Sequence, residues 1–410
     1  MRATAWLLSA GLVAVGVPAS ARTIIVGPHD SIQGALDLAA PGDTVAVQPG
    51  TYHEAGRPCP TEPGNTCAVV ITQDNIALIA LADDANRVIL ENAGGQDQGV
   101  AIAKAGAAGP DCLTDQSQRV RGALVRGFTV NGFDGDGIFL FCVDNWRVTG
   151  NSVNDNAEYG IFPSHCGPGK VVHNVATGSN DTGIYVGQSH DVRVHHNLAT
   201  RNVSGFELEN SSNSRVDHNE ATGNTGGVLT FTNIFLDVKQ NANNRVDHNF
   251  VHDNNKPNSC LNPADEVCAV PPGTGLLVLA ADRNRVDHNV VTGNDSFGIA
   301  VANFCVATNL TPEQCAALDI EPNADFDRVL FNVATGNGTD PSPLIDPLFA
   351  VDLAWDTAGT DNCWEHNVAG TQFPAQLPTC PGVDIPTTRS LSCSPAFRRP
   401  PRRSLGRMSD

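Results

Sequence analysis

The side chains best suited to chemistry lie in short segments that each open with glycine: Gly137-Ile-Phe-Leu, Gly160-Ile-Phe-Pro, Gly183-Ile-Tyr-Val, Gly205-Phe-Glu-Leu-Glu, Gly227-Val-Leu-Thr-Phe, Gly275-Leu-Leu-Val and Gly298-Ile-Ala-Val. In a strand, side chains alternate between faces, so the apolar first and third residues after each glycine point inward and the second points out. The outward set is Phe139, Phe162, Tyr185, Glu207, Leu229, Leu277 and Ala300. Rings exposed in a row stack on sugars, and adjoining carboxylates can exchange protons or bind Ca²⁺. Glu207, Glu209 and Tyr185 are therefore the candidate catalytic residues. Phe139, Phe162, Tyr185, Tyr159, His165, Asp237 and Lys239 are candidates for substrate contact, the last four at the border, with Phe141 alongside. The competing expectation is that an inserted loop covers this stripe.

A second pattern supplies histidines. The motif Arg-Val-Asp-His-Asn occurs at Arg215–Asn219, Arg245–Asn249 and Arg285–Asn289, with weaker copies ending at Asn174, Asn197, Asn332 and Asn367. Its histidine position holds His173, His196, His218, His248, His288 and His366. Imidazoles beside aspartate suit Zn²⁺ or Cu²⁺, with His218, His248 and His288 as the candidate ligands. Metal sites, however, gather ligands around a point, and this column is a line; packing along a turn is the simpler expectation.

The same motif sets the architecture. Its closing asparagines, counted from Asn131, lie at intervals of 20, 23, 23, 22, 30, 40, 43 and 35 residues. A period of 22 to 23 with later insertions describes a coil of three short strands, and the pattern lacks the leucines of a leucine-rich repeat. It predicts an all-β chain folded as a single-stranded right-handed parallel β-helix. Three residues before each marker lies an apolar position (Phe128, Val148, Val171 and onward to Trp364), expected to stack inside. Five residues after it come Asn156, Asn202, Asn224, Asn254, Asn294 and Asn337. Stacked asparagines can form ladders at the strand spacing of about 4.8 Å and tolerate left-handed turn backbone. Arginines and aspartates of the motif should point outward and pair between coils. Ser31–Ala40 reads as a capping helix covering the first core layer, with Ser31 as N-cap. Insertions at 233–240, 255–272, 303–325 and 338–362 should wall one side.

Residues 1–21 have the form of a secretory signal cleaved near Ala21, so export to the periplasm or beyond is expected and no later segment is apolar enough to span a membrane. The β-helix domain then covers 22–380, with its cap at 22–50, and a basic Pro/Arg-rich tail at 381–410 is expected to be disordered. Export makes the 12 cysteines readable as disulfides. Cys59/Cys67, Cys260/Cys268 and Cys305/Cys315 look like loop staples, Cys363–Cys380 is the nearest remaining pair, and Cys142 and Cys166, about one period apart, could join adjacent coils. The net charge of −19 argues against nucleic acid as a partner.

Tyr159-Gly-Ile-Phe-Pro-Ser164, Gly183-Ile-Tyr-Val-Gly-Gln188, Glu209-Asn-Ser-Ser212, Asn224-Thr-Gly-Gly-Val228, Pro272-Gly-Thr-Gly275 and Ser296-Phe-Gly-Ile-Ala-Val301 together resemble the exported bacterial parallel β-helix repeat proteins of the pectate-lyase-like superfold. The resemblance covers roughly residues 23–335 and implies fold and export, not catalytic residues. Pro28-His-Asp30 and Ser189-His-Asp191 faintly resemble the Asp-Pro-His-Asp of mannuronan epimerases, without the leading aspartate. Three functions are thus expected in turn: binding or lyase/epimerase-like processing of a polysaccharide, a non-catalytic extracellular or envelope scaffold that binds a protein partner through its insertion loops, and metal handling through the histidines.

Overall fold

A computed structural model describes residues 21–81 and 88–381; the expected signal segment, apart from Ala21, and all but the first residue of the expected tail lie outside them. Among the described residues the strands form three sheets of 12, 11 and 12 strands, parallel throughout except where Arg57–Pro58 pairs antiparallel at the edge of the third, with successive coils adding strands to each sheet. The Arg-Val-Asp strands build the first sheet, the short strands after the marker asparagines the second, and the glycine-led strands the third. Valines of the first sheet, from Val148 through Val171, Val194, Val216, Val246 and Val286 to Val329, stack in register and are sealed from solvent. Helix α1 (Ile32–Leu38) closes the N-terminal end: the Ser31 hydroxyl accepts from Gly34 N–H, and Ile32, Ala35 and Leu36 are buried. At the other end Trp364 occupies the valine column and packs against Trp355, their centroids 5.3 Å apart.

The asparagine ladder begins one coil later than the sequence pattern suggests. Asn151 Oδ1 accepts from Phe128 N–H, so Phe128 occupies the ladder column while Val125 sits above Val148. Asn131 pairs instead with Asn154. The short first interval of 20 is thereby corrected to 23, the period of the next coils. From Asn151 the ladder runs through Asn174, Asn197, Asn219, Asn249, Asn289 and Asn332 to Asn367, each carboxamide oxygen accepting both the backbone and side-chain N–H of the asparagine above. The left-handed backbone at this corner belongs to the residue before each asparagine: φ is 56° at His196, 55° at His218, 56° at His248 and 58° at His288. A second ladder starts under Phe133 and links Asn202, Asn224, Asn254, Asn294 and Asn337. It has a gap. Where the repeat calls for asparagine between Asn156 and Asn202 the chain has Ser179, which leaves both Asn156 Nδ2 and Ser179 Oγ buried without a partner.

The Arg/Asp lattice pairs between coils as expected, Arg193 with Asp217, Arg215 with Asp247 and Arg245 with Asp287, all at 2.6–2.9 Å. Its aspartates are not exposed: arginines and histidines cover them completely. Cys59–Cys67, Cys260–Cys268, Cys305–Cys315 and Cys363–Cys380 are bonded. Cys142 bonds Cys112, on helix α2 (Gly109–Thr114), rather than Cys166. The reason is register. Cys142 and Cys166 are 24 residues apart, one more than the local period, so the residue beneath Cys142 is His165, and Cys166 points into the core below Val143. A one-residue slip sends a side chain to the opposite face. Burial pushes the remaining Cys166 thiol up to about 12.

Removing a ladder member should therefore cost far more than removing a lattice member. Asn219→Ala leaves several buried backbone groups unpaired and is expected to lower stability by roughly 2–4 kcal/mol, whereas His248→Ala on the outer column costs about 1 kcal/mol or less. Urea unfolding midpoints of the two variants measure the difference.

Candidate active site

The outer face of the third sheet is the candidate site, and three columns cross it. One holds Asp136, with Tyr159 in the next coil, then Thr182 and Ser204. The second is Phe139, Phe162, Tyr185, Glu207 and Leu229, in the predicted order. The third is Phe141, Ser164, Gly187, Glu209 and Phe231. The rings do not form an open row. Phe162 lies 5.1 Å from Phe139, 4.5 Å from Tyr159 and 4.7 Å edge-on from Tyr185, a tilted cluster in which Phe139 and Tyr185 are each only 5% exposed. Gly187 makes room for it, since a Cβ there would stand 2.2 Å from the Tyr185 ring.

Downstream, the insertions cover the stripe. Val267 and Val270 pack over Val203, Leu229, Phe231 and Leu277, and Ile345, Phe349 and Val351 pack over Phe297, Ala300 and Ala354. The competing expectation thus holds for the lower half of the face. The segment read as the last insertion also contains a strand of its own, Leu353–Trp355, which continues the third sheet. Upstream a cleft of about 240 Å³ remains, lined by Phe139, Phe141, Phe162, Ser164, His165 and Gln188 together with acidic residues including Asp136 and Glu158.

The carboxyls on this face are held out of water. Burial is the main cause in each case, and repulsion from neighbouring carboxylates adds to it. Glu209 is raised to about 7, with hydrogen bonds to Tyr185 and Asn233 pulling the other way. Asp181 is also raised to about 7, opposed by hydrogen bonds from Thr182, at 2.9 Å, and Tyr159. Glu207 is driven well above the usual carboxylate range, with Asp181 and Glu209 as its charged neighbours. Asp136 is shifted the same way, and the Tyr159 and Tyr185 hydroxyls rise well above the phenol range. Two tyrosine–carboxyl pairs, Tyr185/Glu209 and Tyr159/Asp181, thus flank Glu207. Asp136, Glu158 and Asp181 escape the sequence reading because none belongs to the outward positions of a glycine-led strand; their nearness follows from coil stacking.

His165 and Asp237 do come together. His165 Nε2 is 4.0 Å from Asp237 Oδ2, although 72 residues separate them. The link is a left-handed corner column, Cys142, His165, Gln188 and Asn210, with φ between 46° and 55°. Gln188 Oε1 accepts from Val238 N–H at 3.0 Å, and Asn210 Nδ2 donates to the carbonyls of Asn233 and Val238, so the column docks the 233–240 loop beside His165. Lys239 is not part of this contact; its ammonium donates to Ile234 O within its own loop.

The histidines of the repeated motif are remote in character. His218, His248 and His288 stack face to face, 4.9 Å apart within 5° of parallel, and each Nδ1 is held by the preceding aspartate at 2.7–2.8 Å. Parallel rings at that spacing aim their lone pairs along parallel lines, whereas a shared metal needs nitrogens about 2 Å from one point. Among the described residues no three His, Cys, Asp or Glu converge to hold a metal ion. His190 and Asp191, of the Ser-His-Asp triplet, pair with each other in the open.

These features define a right-handed parallel β-helix. Residues 96–234 match the family model for right-handed β-helix regions. No curated protein matches the sequence. Among solved structures the chain is similar to the A-module of Azotobacter vinelandii mannuronan C-5 epimerase AlgE6, at 15% identity and a TM-score of 0.57 over 84% of this chain and 95% of that one. The A-module of Azotobacter vinelandii mannuronan C-5 epimerase AlgE4 gives 14% and 0.53 over 82% and 90%. The periplasmic alginate epimerase AlgG gives 15% and 0.51 over 85% and 73%. At these identities the likeness is one of fold.

The raised carboxyls make stability pH-dependent in a definite direction. A carboxyl with folded pKa above its unfolded value favours the folded state below the unfolded pKa, and that contribution is lost as pH rises through the folded pKa. For Glu209 the window runs from about 4.3 to about 7. Glu209→Gln should therefore be more stable than the parent at pH 8, by on the order of 3 kcal/mol at most, and gain little at pH 4. Thermal melting at the two pH values tests this.

Proposed function

We propose that this is an exported protein that binds a polysaccharide across the third sheet and processes it by lyase- or epimerase-like acid/base chemistry. One observation carries the reading: Glu209 and Asp181, each paired with a tyrosine, hold pKa values of about 7 beside Glu207. A general acid or base works best when its pKa lies near the working pH. In this reading the Tyr185/Glu209 pair removes a proton from a sugar carbon and the neighbouring protonated Glu207 returns one. Phe139 and Phe162, which line the cleft, supply apolar surface for pyranose rings, with Tyr159 packed against Phe162. The mannuronan epimerases that share the fold act on a polyuronate according to their names, which supports the class of substrate. So acidic a face would repel a uronate carboxylate unless a cation intervened, and a requirement for Ca²⁺ is part of the proposal.

A second reading, docking of a protein partner on the insertion loops, is favoured by their apolar tips: Phe235, Leu261 and Leu344 are all more than 60% exposed. Incubation with a panel of polyuronates and neutral glycans, with and without Ca²⁺, separates the two. The acid/base reading expects unsaturated oligosaccharides or an epimerised polymer, with turnover reduced about 100-fold or more in Glu209→Gln and in Tyr185→Phe. Neither binding nor turnover of any glycan, together with co-purification of a protein lost on Phe235→Asp, would replace it with the second.

A further inference from the structure

We propose that Ser164, His165 and Asp237 form a second, separate catalytic centre at the end of the same cleft, one that hydrolyses small neutral acyl esters such as O-acetyl groups on a glycan. Ser164 Oγ lies 2.9 Å from His165 Nδ1, and both residues line the cleft. His165 is 4% exposed, its Nε2 has no hydrogen-bond partner, and the nearest acceptor aimed at it is Asp237 Oδ2 at 4.0 Å. With the imidazole proton on Nε2, facing that carboxylate, Nδ1 is the lone pair that receives the Ser164 hydroxyl. A nucleophile, a base and an orienting acid are thus in sequence, as acyl transfer requires. Burial, which lowers the His165 pKa, favours the neutral base.

Two further features fit. The Gln188 amide, its oxygen already taken by Val238 N–H, leaves its N–H₂ as a donor on the cleft wall for a developing oxyanion. The space, about 240 Å³ lined by Phe139, Phe141 and Phe162 together with acidic residues, suits a short uncharged acyl group and repels the carboxylate product. In the reaction Ser164 Oγ bonds to the ester carbonyl carbon as its proton passes to His165 Nδ1. The carbon–alkoxy bond then breaks and the departing sugar oxygen takes that proton. Water next attacks the acyl-serine, giving its proton to Nδ1 and from there to Ser164, which releases the acid.

Asp237 acts here through His165, as a positioning residue, and Gly109 guards the gap: a Cβ at Gly109 would stand 2.9 Å from His165 Nε2 and 3.2 Å from Asp237 Oδ2. The test is reaction of the full chain with a fluorophosphonate probe, with mapping of the modified peptide, alongside turnover of p-nitrophenyl acetate. The proposal expects the adduct on Ser164, loss of both signals in Ser164→Ala, and labelling slowed about tenfold or more in Asp237→Asn and Gly109→Ala at unchanged melting temperature. A folded protein that leaves Ser164 unlabelled, or a Ser164→Ala variant with undiminished turnover, overturns it. Because ester hydrolysis is read without any cleavage or epimerisation of a glycan backbone, failure here and failure of the acid/base proposal are separate results.

Discussion

Everything in this molecule hangs on the carboxamide of one asparagine per turn. Its oxygen takes two N–H groups from the coil above, and its own nitrogen reaches a valine carbonyl in that same coil, as Asn219 receives from Asn197 and donates to Val194. A buried turn backbone would otherwise leave these groups unpaired, at a cost of about 1–3 kcal/mol apiece. The ladder therefore fixes where every coil crosses the same point in space. Once that point is fixed, the valine stack, the Arg/Asp lattice and the outer columns of the third sheet follow with no freedom of register. Phe128 and Phe133 close the tops of the two ladders, offering only a backbone N–H and asking nothing in return.

Such a scaffold separates holding from doing. The first sheet and its histidine corner are regular, paired and covered. The third sheet departs from regularity: a tyrosine ring lies over a glycine, carboxyls are stacked on carboxyls, and a corner column docks a loop. Placing Asp181, Glu207 and Glu209 together costs stability, which the surrounding coils supply. Local rules are broken mainly where chemistry is concentrated.

Period-two and period-23 patterns were enough to order the columns of the face from the sequence, including the succession Phe139, Phe162, Tyr185, Glu207 and Leu229, because a parallel coil converts sequence spacing directly into stacking. Three kinds of information were not legible. Single-residue slips were one, and they explain both the misplaced start at Asn131 and the misassigned partner of Cys142. Coverage was another: whether an insertion folds back over a stripe depends on its own apolar residues, such as Val267 and Val270, which carry no periodic signature. The last was any contact made by a loop over a long sequence separation. Gln188 and Asn210 look like ordinary turn residues until Val238 is seen between them, and only then does Asp237 find His165.

Ser179 interrupts the inner ladder at the coil that goes on to carry Asp181 and Tyr185. Along the two ladders adjacent coils are riveted at two corners; between this coil and the one above it, one rivet is missing. The missing link lies between the coil of Tyr159 and Phe162 and the coil of Tyr185. A small opening there would change the width of the aromatic cluster without disturbing the rest of the rod.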